Sequence, residues 1–235
     1  MPAIVEADDC GTYVVKFRGA AQGVRALIAE VIGGELARLL GLPVPQLVQI
    51  EVDVVLSRSE PDPEIQDLLK ASAGRNIALD YLPGALNWEP AMPPVDRALA
   101  AKIVWFDALI TNVDRTAKNP NMLRWHKQLY LIDHGAALYF HHDWVHRATK
   151  AKLPFAPIAQ HALLKMASSI RDADAALAPL VTEAALRAIV AEVPDDYLTS
   201  EATPAETRAA YVEWFVERMT APRAFVEEAE RVRLA

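Results

Sequence analysis

Residues 112–135 read NVDRTAKNPNMLRWHKQLYLIDHG, and this stretch decides how the rest of the chain is interpreted. It follows an apolar, helix-like run over Ala98–Ile110 and opens with polar residues typical of a loop. Two short strand-like segments, Asn121–Trp125 and Gln128–Ile132, are joined by a polar His126-Lys127 turn and predict a β-hairpin that ends in Asp-x-Gly. The sequence therefore predicts a buried helix, a polar loop and a hairpin in succession.

Three side chains of this stretch have the chemistry that phosphoryl transfer needs. Asp114 could accept or orient the proton of an attacking hydroxyl, and an amide, Asn119, follows it five positions later. Asn119 and Asp133 offer the hard oxygen ligands that Mg²⁺ prefers. An acid, an amide five residues on and a hairpin ending in Asp-x-Gly form the arrangement of a kinase catalytic loop and its metal-binding loop. Each residue alone could be an ordinary surface group, so the prediction depends on the complete set.

The composition limits the classes of function. The 235 residues fit one domain of two lobes or two small domains that share a cleft, and 52% hydrophobic residues can form a substantial core. A formal net charge of −7 opposes a large basic surface, so we expect no nucleic-acid partner. A single cysteine, Cys10, and a chain start without the features of a signal peptide predict a cytoplasmic protein. Charges interrupt every apolar run before the ~20 residues of a membrane span, so we expect none.

Strand-like segments gather in the first half of the chain. Ile4–Ala7 and Thr12–Phe17 are predicted strands, and the second carries Lys16 among β-branched and aromatic residues. A lysine within a strand is usually a solvated edge residue. Alternating or strand-like patterns predict further strands at Pro45–Leu56 and Asn76–Leu82.

A long helix is predicted from Gln22 to Leu40, with Gly41 as its stop. It carries two glutamates of interest. Glu30 lies off the apolar stripe, whereas periodicity places Glu35 within it, where a carboxylate needs a partner or must be neutral. Either acid could pair with Lys16, and the residues alone leave this choice open.

Helical patterns dominate the second half of the chain. The predicted helices after the first are Glu64–Ala71, Val95–Thr111, Ala159–Ser168, Asp172–Leu180, Glu183–Val193 and Pro204–Val232. A loop is expected at Ser57–Pro63. Because strands come first and helices later, the pattern predicts an α+β architecture and not alternating βαβ units.

Four pieces of the sequence resemble the HipA-like kinases, a branch of the protein-kinase-like fold related at its site to phosphatidylinositol kinases. They are Tyr13-Val-Val-Lys-Phe17, the helix from Glu30 to Gly41-Leu-Pro-Val-Pro45, Asn112-Val-Asp-Arg-Thr-Ala-Lys-Asn119 and Leu131-Ile-Asp-His-Gly135. The pieces occur in the expected order across residues 12–140. The resemblance implies a two-lobed α+β fold, with a strand-rich N-lobe over residues 1–84 and a helical C-lobe over residues 85–235.

The resemblance also implies roles for individual positions. Those assigned to the nucleotide are Lys16 at the phosphates, Glu30 holding that lysine, and the backbone of Asp80, Tyr81 and Leu82 at the adenine. Asp114 would be the catalytic aspartate, and Asn119 and Asp133 would bind Mg²⁺, with Asn121 as a weaker alternative to Asn119. Glu30 also has small helix neighbours that would allow a close approach to the cleft, which favours it over Glu35.

The activity implied by the resemblance is phosphorylation, by ATP and Mg²⁺, of a serine or threonine hydroxyl on an unidentified protein. A small-molecule hydroxyl is an alternative acceptor. An inactive, kinase-like binding module is one alternative. A zinc hydrolase is another, because His142 and His146 stand four positions apart. The sequence shows two departures: only Asp8–Gly11 stands in the place of a glycine-rich phosphate loop, and His134 stands where ordinary kinases have the phenylalanine of the metal loop.

Overall fold

The computed structural model describes residues 2–20 and 23–235, and its N-terminal part is built on one antiparallel sheet. The strands are β1 (Pro2–Glu6), β2 (Thr12–Lys16), β3 (Leu47–Val52) and β4 (Gly74–Asp80), in the order β1-β2-β4-β3. All four predicted strands are therefore present. β3 is shorter than the predicted Pro45–Leu56, because Leu56 begins a one-turn helix, α2 (Leu56–Ser59), where a loop was expected.

The two faces of this sheet pack against different helices. Lys16 pairs with Ile77 across β2 and β4, and directly opposed residues lie on the same face of a sheet. Ile77 belongs to the main core together with α1 (Gly23–Leu39), so Lys16 lies on the α1 side. The outer face is covered by α3 (Pro63–Ala71). The predicted start of α1 at Gln22 lies outside the described residues.

The helical part of the chain surrounds α4 (Arg97–Leu109), which is buried over most of its length, as its apolar sequence predicts. A small sheet beside it contains β5 (Leu86–Asn87), β6 (Met122–Trp125) and β7 (Gln128–Leu131). The helices that follow are α5 (Arg147–Ala151), α6 (Ile170–Leu177), α7 (Glu183–Ala191), α8 (Pro204–Met219) and α9 (Ala224–Leu234). The α+β class and its two-lobed arrangement are confirmed. Within the described residues, no helix is both long and apolar enough to cross a membrane.

Direct contacts join the N-terminal sheet to the helical part. α1 contacts β3 and β4, and it also contacts α7 and the 3-10 turn Asp195–Tyr197. Arg18 Nη1 lies 2.8 Å from Asp196 Oδ2, and the Tyr197 hydroxyl donates to the Arg75 carbonyl at 2.7 Å. α1 is thus held between two parts of the same chain.

Two helix predictions in the second half are wrong in extent. The stretch Ala159–Ser168 holds the end of one short 3-10 helix, Ala156–Gln160, and all of another, Leu164–Met166, because closely spaced apolar residues can be buried by either conformation. The single helix predicted over Pro204–Val232 is divided into α8 and α9. Pro222 lies in the break and has no backbone N–H with which to continue a helix.

His141 should make the stability of the protein depend on pH. Its ring is fully buried, and its Nδ1 lies 3.2 Å from the Tyr211 hydroxyl. Burial lowers the pKa of His141 from 6.5 to about 3. Between these values the unfolded chain binds a proton that the folded protein excludes, so stability should fall as the pH drops from 6.5 towards 3. The contribution is about 1.4 kcal/mol per pH unit within that window.

Urea denaturation at several pH values measures this effect. Gln cannot titrate, so the free energy of unfolding of His141→Gln should depend less steeply on pH than that of the wild type, by about 1 kcal/mol per unit. Ser59→Ala is the control, because it changes an exposed side chain and removes no ionisable group, and it should keep the wild-type slope. Equal slopes for His141→Gln and the wild type would contradict the prediction.

Candidate active site

Four of the predicted site residues line one cavity between the sheet and the helical part. The cavity has a volume of about 290 Å³, and its walls include Lys16, Glu30, Asp114 and Asp133. Lys16 comes from β2 and Glu30 from α1, while the two aspartates come from the loops that follow α4 and β7. A larger cavity of about 720 Å³ near Arg18 lacks this set of groups. Segments distant in the chain therefore bring one cation and three acids to the smaller cavity.

The Lys16 ammonium is held by two carboxylates. Its Nζ lies 3.0 Å from Glu30 Oε1 and 2.6 Å from Asp133 Oδ1. Burial works to lower the pKa of Lys16, but the charges of the two acids outweigh burial and raise that pKa above its ordinary value. Lys16 is therefore a charged group of the cavity and not a solvated edge residue.

Glu30, not Glu35, is the carboxylate of α1 that contacts Lys16. Glu30 is 1% exposed, and this burial raises its pKa although the Lys16 charge opposes the change. Glu35 Oε2 instead lies 3.4 Å from Arg38 Nε, with 26% of the glutamate side chain exposed. The partner of Glu35 is thus local, one helical turn away.

Asp133 presents a charged carboxylate to the cavity. Its backbone has a left-handed φ of +57°, which aspartate tolerates better than most residues. Partial burial works to raise the pKa of Asp133, but the Lys16 ammonium outweighs it, so the pKa lies below its ordinary value. Because 47% of the side chain is exposed, a ligand in the cavity can reach the carboxylate.

Two asparagines hold the Asp114 carboxylate. Asn119 Nδ2 donates to Asp114 Oδ2 at 2.8 Å, and Asn121 Nδ2 donates to the same oxygen at 3.1 Å. We call residues 112–121 the Asp114 loop and residues 132–135 the Asp133 loop. The structure therefore brings both candidate amides to Asp114, and it gives no reason to prefer Asn119 over Asn121 as a metal ligand.

His134 packs directly against α1, and the contact requires a glycine there. A Cβ atom at Gly33 would lie 2.9 Å from His134 Cβ, closer than such atoms approach. The His134 ring is 2% exposed and packs edge-on against Phe106. Burial lowers its pKa to about 3, so the ring is neutral at the position where ordinary kinases have an apolar phenylalanine.

Gly33→Ala should destabilise the protein by about 1–3 kcal/mol, the usual range for overpacking a tight contact. Gly34→Ala is the matched control, because its Cβ would meet only the end of the Leu47 side chain, at 3.3 Å. Alanine is also preferred over glycine inside a helix by up to about 1 kcal/mol. Thermal unfolding should therefore rank Gly34→Ala above Gly33→Ala. The reverse order, or equal stabilities, would show that the contact is not tight in solution.

A buried ion pair beneath the Asp114 loop was not predicted from the sequence. Asp107, fully buried in the last turn of α4, accepts hydrogen bonds from Arg115 Nε at 2.6 Å and His161 Nε2 at 2.9 Å. Burial works to raise the pKa of Asp107, but the Arg115 charge outweighs it and lowers that pKa. One feature of the sequence could have indicated this ion pair. Asp107 is an acid within the apolar run of α4, and a buried acid needs a partner.

The comparison with protein families agrees with this geometry. A family model described as HipA-like kinase matches residues 1–227 of the chain. The chain belongs to the HipA-like kinase family. Searches of curated proteins and of solved structures gave no match. Membership of the family confirms the resemblance drawn from the sequence motifs and supports a kinase-like phosphotransferase.

In a HipA-like kinase the adenine is expected at segment 80–82, and this assignment stays a prediction here. The segment does not line the 290 Å³ cavity. The backbone N–H of Asp80 donates to the Gln46 carbonyl at 2.8 Å, and that of Tyr81 donates to the Thr12 carbonyl at 3.0 Å. The amide of Leu82 has no hydrogen-bond acceptor among residues 2–20 and 23–235. It is therefore the amide of this segment that can donate to a base.

The turn Asp8–Gly11, which occupies the place of a phosphate loop in the sequence, does not line the 290 Å³ cavity. The register of β1 and β2 pairs Lys16 with Pro2, and Pro2 lines the cavity. The turn lies at the opposite end of β2, where Tyr13 pairs with Asp80. The turn that occupies the place of a phosphate loop in the sequence is therefore separated from Lys16 by the length of β2.

The histidines that follow the Asp133 loop give no support to a zinc hydrolase. Residues 139–146 form 3-10 helix with a kink at Asp143, so the one-turn α-helical spacing of His142 and His146 is not formed. His146 Nδ1 contacts Asp143 Oδ1 at 2.8 Å. Across the part of the chain that the structure describes, no three His, Cys, Asp or Glu side chains lie close enough to hold a metal ion.

Proposed function

We propose that the chain transfers the γ-phosphoryl group of ATP to a serine or threonine hydroxyl of a protein, with the nucleotide between a lobe of residues 1–84 and a lobe of residues 85–235. The observation that carries the proposal is the cavity in which Lys16 is paired with Glu30 and Asp133 while Asp114 lines the same space. Family membership supports the same reaction class. A small-molecule hydroxyl is the alternative acceptor.

The groups in this cavity fit a magnesium nucleotide. Asp133 offers an ionised, accessible carboxylate and Lys16 offers a cation for phosphate. Asn119 does not line the cavity, but it contacts Asp114 and offers an amide oxygen beside it. Mg²⁺ commonly takes one or two carboxylates together with phosphates of its substrate, so a cluster of three acidic ligands is not required. When bound, Mg²⁺ would neutralise charge on the phosphate oxygens.

Each side chain then has a limited task. Asp114 Oδ2 is held by two amides, so Oδ1 is the oxygen that orients the acceptor hydroxyl. Lys16 holds the phosphates, and Glu30 fixes the direction of the Lys16 side chain. Catalysis of this kind comes from positioning and charge neutralisation, with little covalent work by the protein.

Two measurements test the proposal. Calorimetry should detect ATP binding that is strengthened by Mg²⁺. Incubation with a cell lysate and ATP labelled with ¹⁸O in its γ-phosphate, followed by mass spectrometry, should reveal heavy phosphate on serine or threonine peptides. Heavy phosphate only on small molecules would change the acceptor class, and Mg²⁺-dependent binding without transfer would favour an inactive binding module. Absence of nucleotide binding would contradict the proposal.

A further inference from the structure

Arg115 connects the two loops that carry the aspartates of the cavity. It is 1% exposed, although it directly follows Asp114 in the chain. Its Nη1 donates to the carbonyl of Asn121, in the Asp114 loop, and to the carbonyl of Ile132 at 3.2 Å, directly before Asp133. One guanidinium group therefore holds the backbone of both loops.

Asp107 and His161 hold Arg115 in this position. A single oxygen of Asp107 accepts from both Arg115 Nε and His161 Nε2. His161 Nδ1 accepts from the backbone N–H of Leu163 at 3.0 Å, so Nε2 is the ring nitrogen that donates to Asp107. The same segment pairs with the Asp114 loop, where the Ala162 N–H donates to the Arg115 carbonyl at 3.1 Å. Side-chain and backbone contacts thus fix Arg115 from two directions.

The second oxygen of Asp107 leads to Asp114 through one residue. Asp107 Oδ1 accepts from Asn112 Nδ2 at 2.9 Å. Asn112 Oδ1 in turn accepts from the backbone N–H of Asp114 at 3.1 Å. The two oxygens of one buried carboxylate are therefore connected to both aspartates of the cavity, to Asp114 through Asn112 and to the Asp133 loop through Arg115.

We infer that Asp107, Arg115 and His161 form a positioning unit that fixes Asp114 and Asp133 relative to each other. The inference rests on the proposed function, because it assigns the unit to the alignment of a catalytic and a metal-binding carboxylate. None of the three residues lines the cavity, so the unit acts through the backbone of the two loops. Groups that support metal ligands in this way typically change metal affinity or activity by 10–100-fold when replaced.

Arg115→Lys is the variant that tests the unit. Lysine keeps the positive charge, but its compact ammonium lacks the planar fork that reaches a carboxylate and two carbonyls together. We expect amide hydrogen exchange to become at least ~10-fold faster across the Asp114 loop and at the Ile132 N–H, which donates to the Asn121 carbonyl at 3.0 Å. The Mg²⁺ concentration for half-maximal ATP binding should rise ~10–100-fold, while ATP affinity without Mg²⁺ stays within about twofold.

Arg223→Lys is the matched control. Arg223 is also ion-paired, with Nη1 2.9 Å from Asp174 Oδ2, and it lies away from the cavity. This variant should leave both loop exchange and the Mg²⁺ requirement at wild-type values. If Arg115→Lys fails to fold, His161→Leu replaces it, because leucine removes both the N–H that donates to Asp107 and the acceptor for the Leu163 N–H.

The outcomes separate the inference from the proposed function. A folded Arg115→Lys or His161→Leu protein with loop exchange within twofold of the wild type would overturn the positioning unit. Equal changes in the Arg223→Lys control would overturn it as well, by showing a general loss of stability. If the wild type binds no Mg²⁺-ATP, the proposed function fails, and hydrogen exchange alone decides whether the unit orders the two loops.

Discussion

Asp114→Asn should reduce turnover by ~10²–10⁴-fold, the range for loss of a positioned general base, while ATP affinity stays within about twofold. Asparagine keeps an oxygen that can accept from Asn119 and Asn121, which now donate to Asp114 Oδ2 at 2.8 and 3.1 Å. The loop should therefore keep its shape. What is lost is the charged oxygen that orients the acceptor hydroxyl.

Steady-state kinetics with calorimetry on the same preparations measures both quantities. Asp67→Asn serves as the control, because the Asp67 side chain is 78% exposed on α3, and it should leave turnover unchanged. Turnover retained by Asp114→Asn would assign catalysis to another residue. A loss of ATP affinity as large as the loss of turnover would instead place Asp114 in nucleotide binding.

Asp133→Asn should weaken Mg²⁺-ATP binding by at least ~100-fold, because it removes a charged ligand itself and not merely a group that supports one. The fold should survive. Asparagine tolerates the φ of +57° at this position, and the Lys16–Glu30 pair at 3.0 Å does not depend on Asp133. Asp133→Ala should show the same loss of binding with an additional cost from its strained backbone.

Calorimetry and thermal unfolding of these variants test the prediction. Asp143→Asn is the matched control, since Asp143 is 44% exposed and contacts Lys150 Nζ at 2.7 Å and His146 Nδ1 at 2.8 Å, away from the cavity. It should bind Mg²⁺-ATP as the wild type does. Wild-type affinity in Asp133→Asn would remove Asp133 from the metal site.

Local spacing predicted the acidic residues of the cavity better than it predicted their partners. Asp114 and Asp133 stand in motifs that have the order and spacing of a kinase catalytic loop and metal-binding loop, and both residues line the cavity. The choice between Glu30 and Glu35 was harder, because α1 is buried almost continuously from Leu27 to Ala37. A helix buried on nearly all sides has no single apolar face, so periodicity cannot rank its acids.

The features that the sequence did not predict depend on contacts between residues distant in the chain. The Asp8–Gly11 turn looked like a substitute for a phosphate loop, but the strand register places it at the far end of β2 from Lys16. The Asp107–Arg115–His161 contacts likewise join residues up to 54 positions apart. Such contacts depend on how elements pack in three dimensions, and neither hydrophobic pattern nor motif spacing carries that information.

The attachment of α1 to the helical part has a consequence for inhibitors of the proposed reaction. A compound that acts by pushing α1 away from the cavity must separate it from α7 and from the 3-10 turn that Arg18 and Tyr197 hold in place. It must also uncover the His134 ring that packs on Gly33. A compound that occupies the cavity beside Lys16 disturbs none of these contacts. Competition with the nucleotide is therefore the less costly route to inhibition in this molecule.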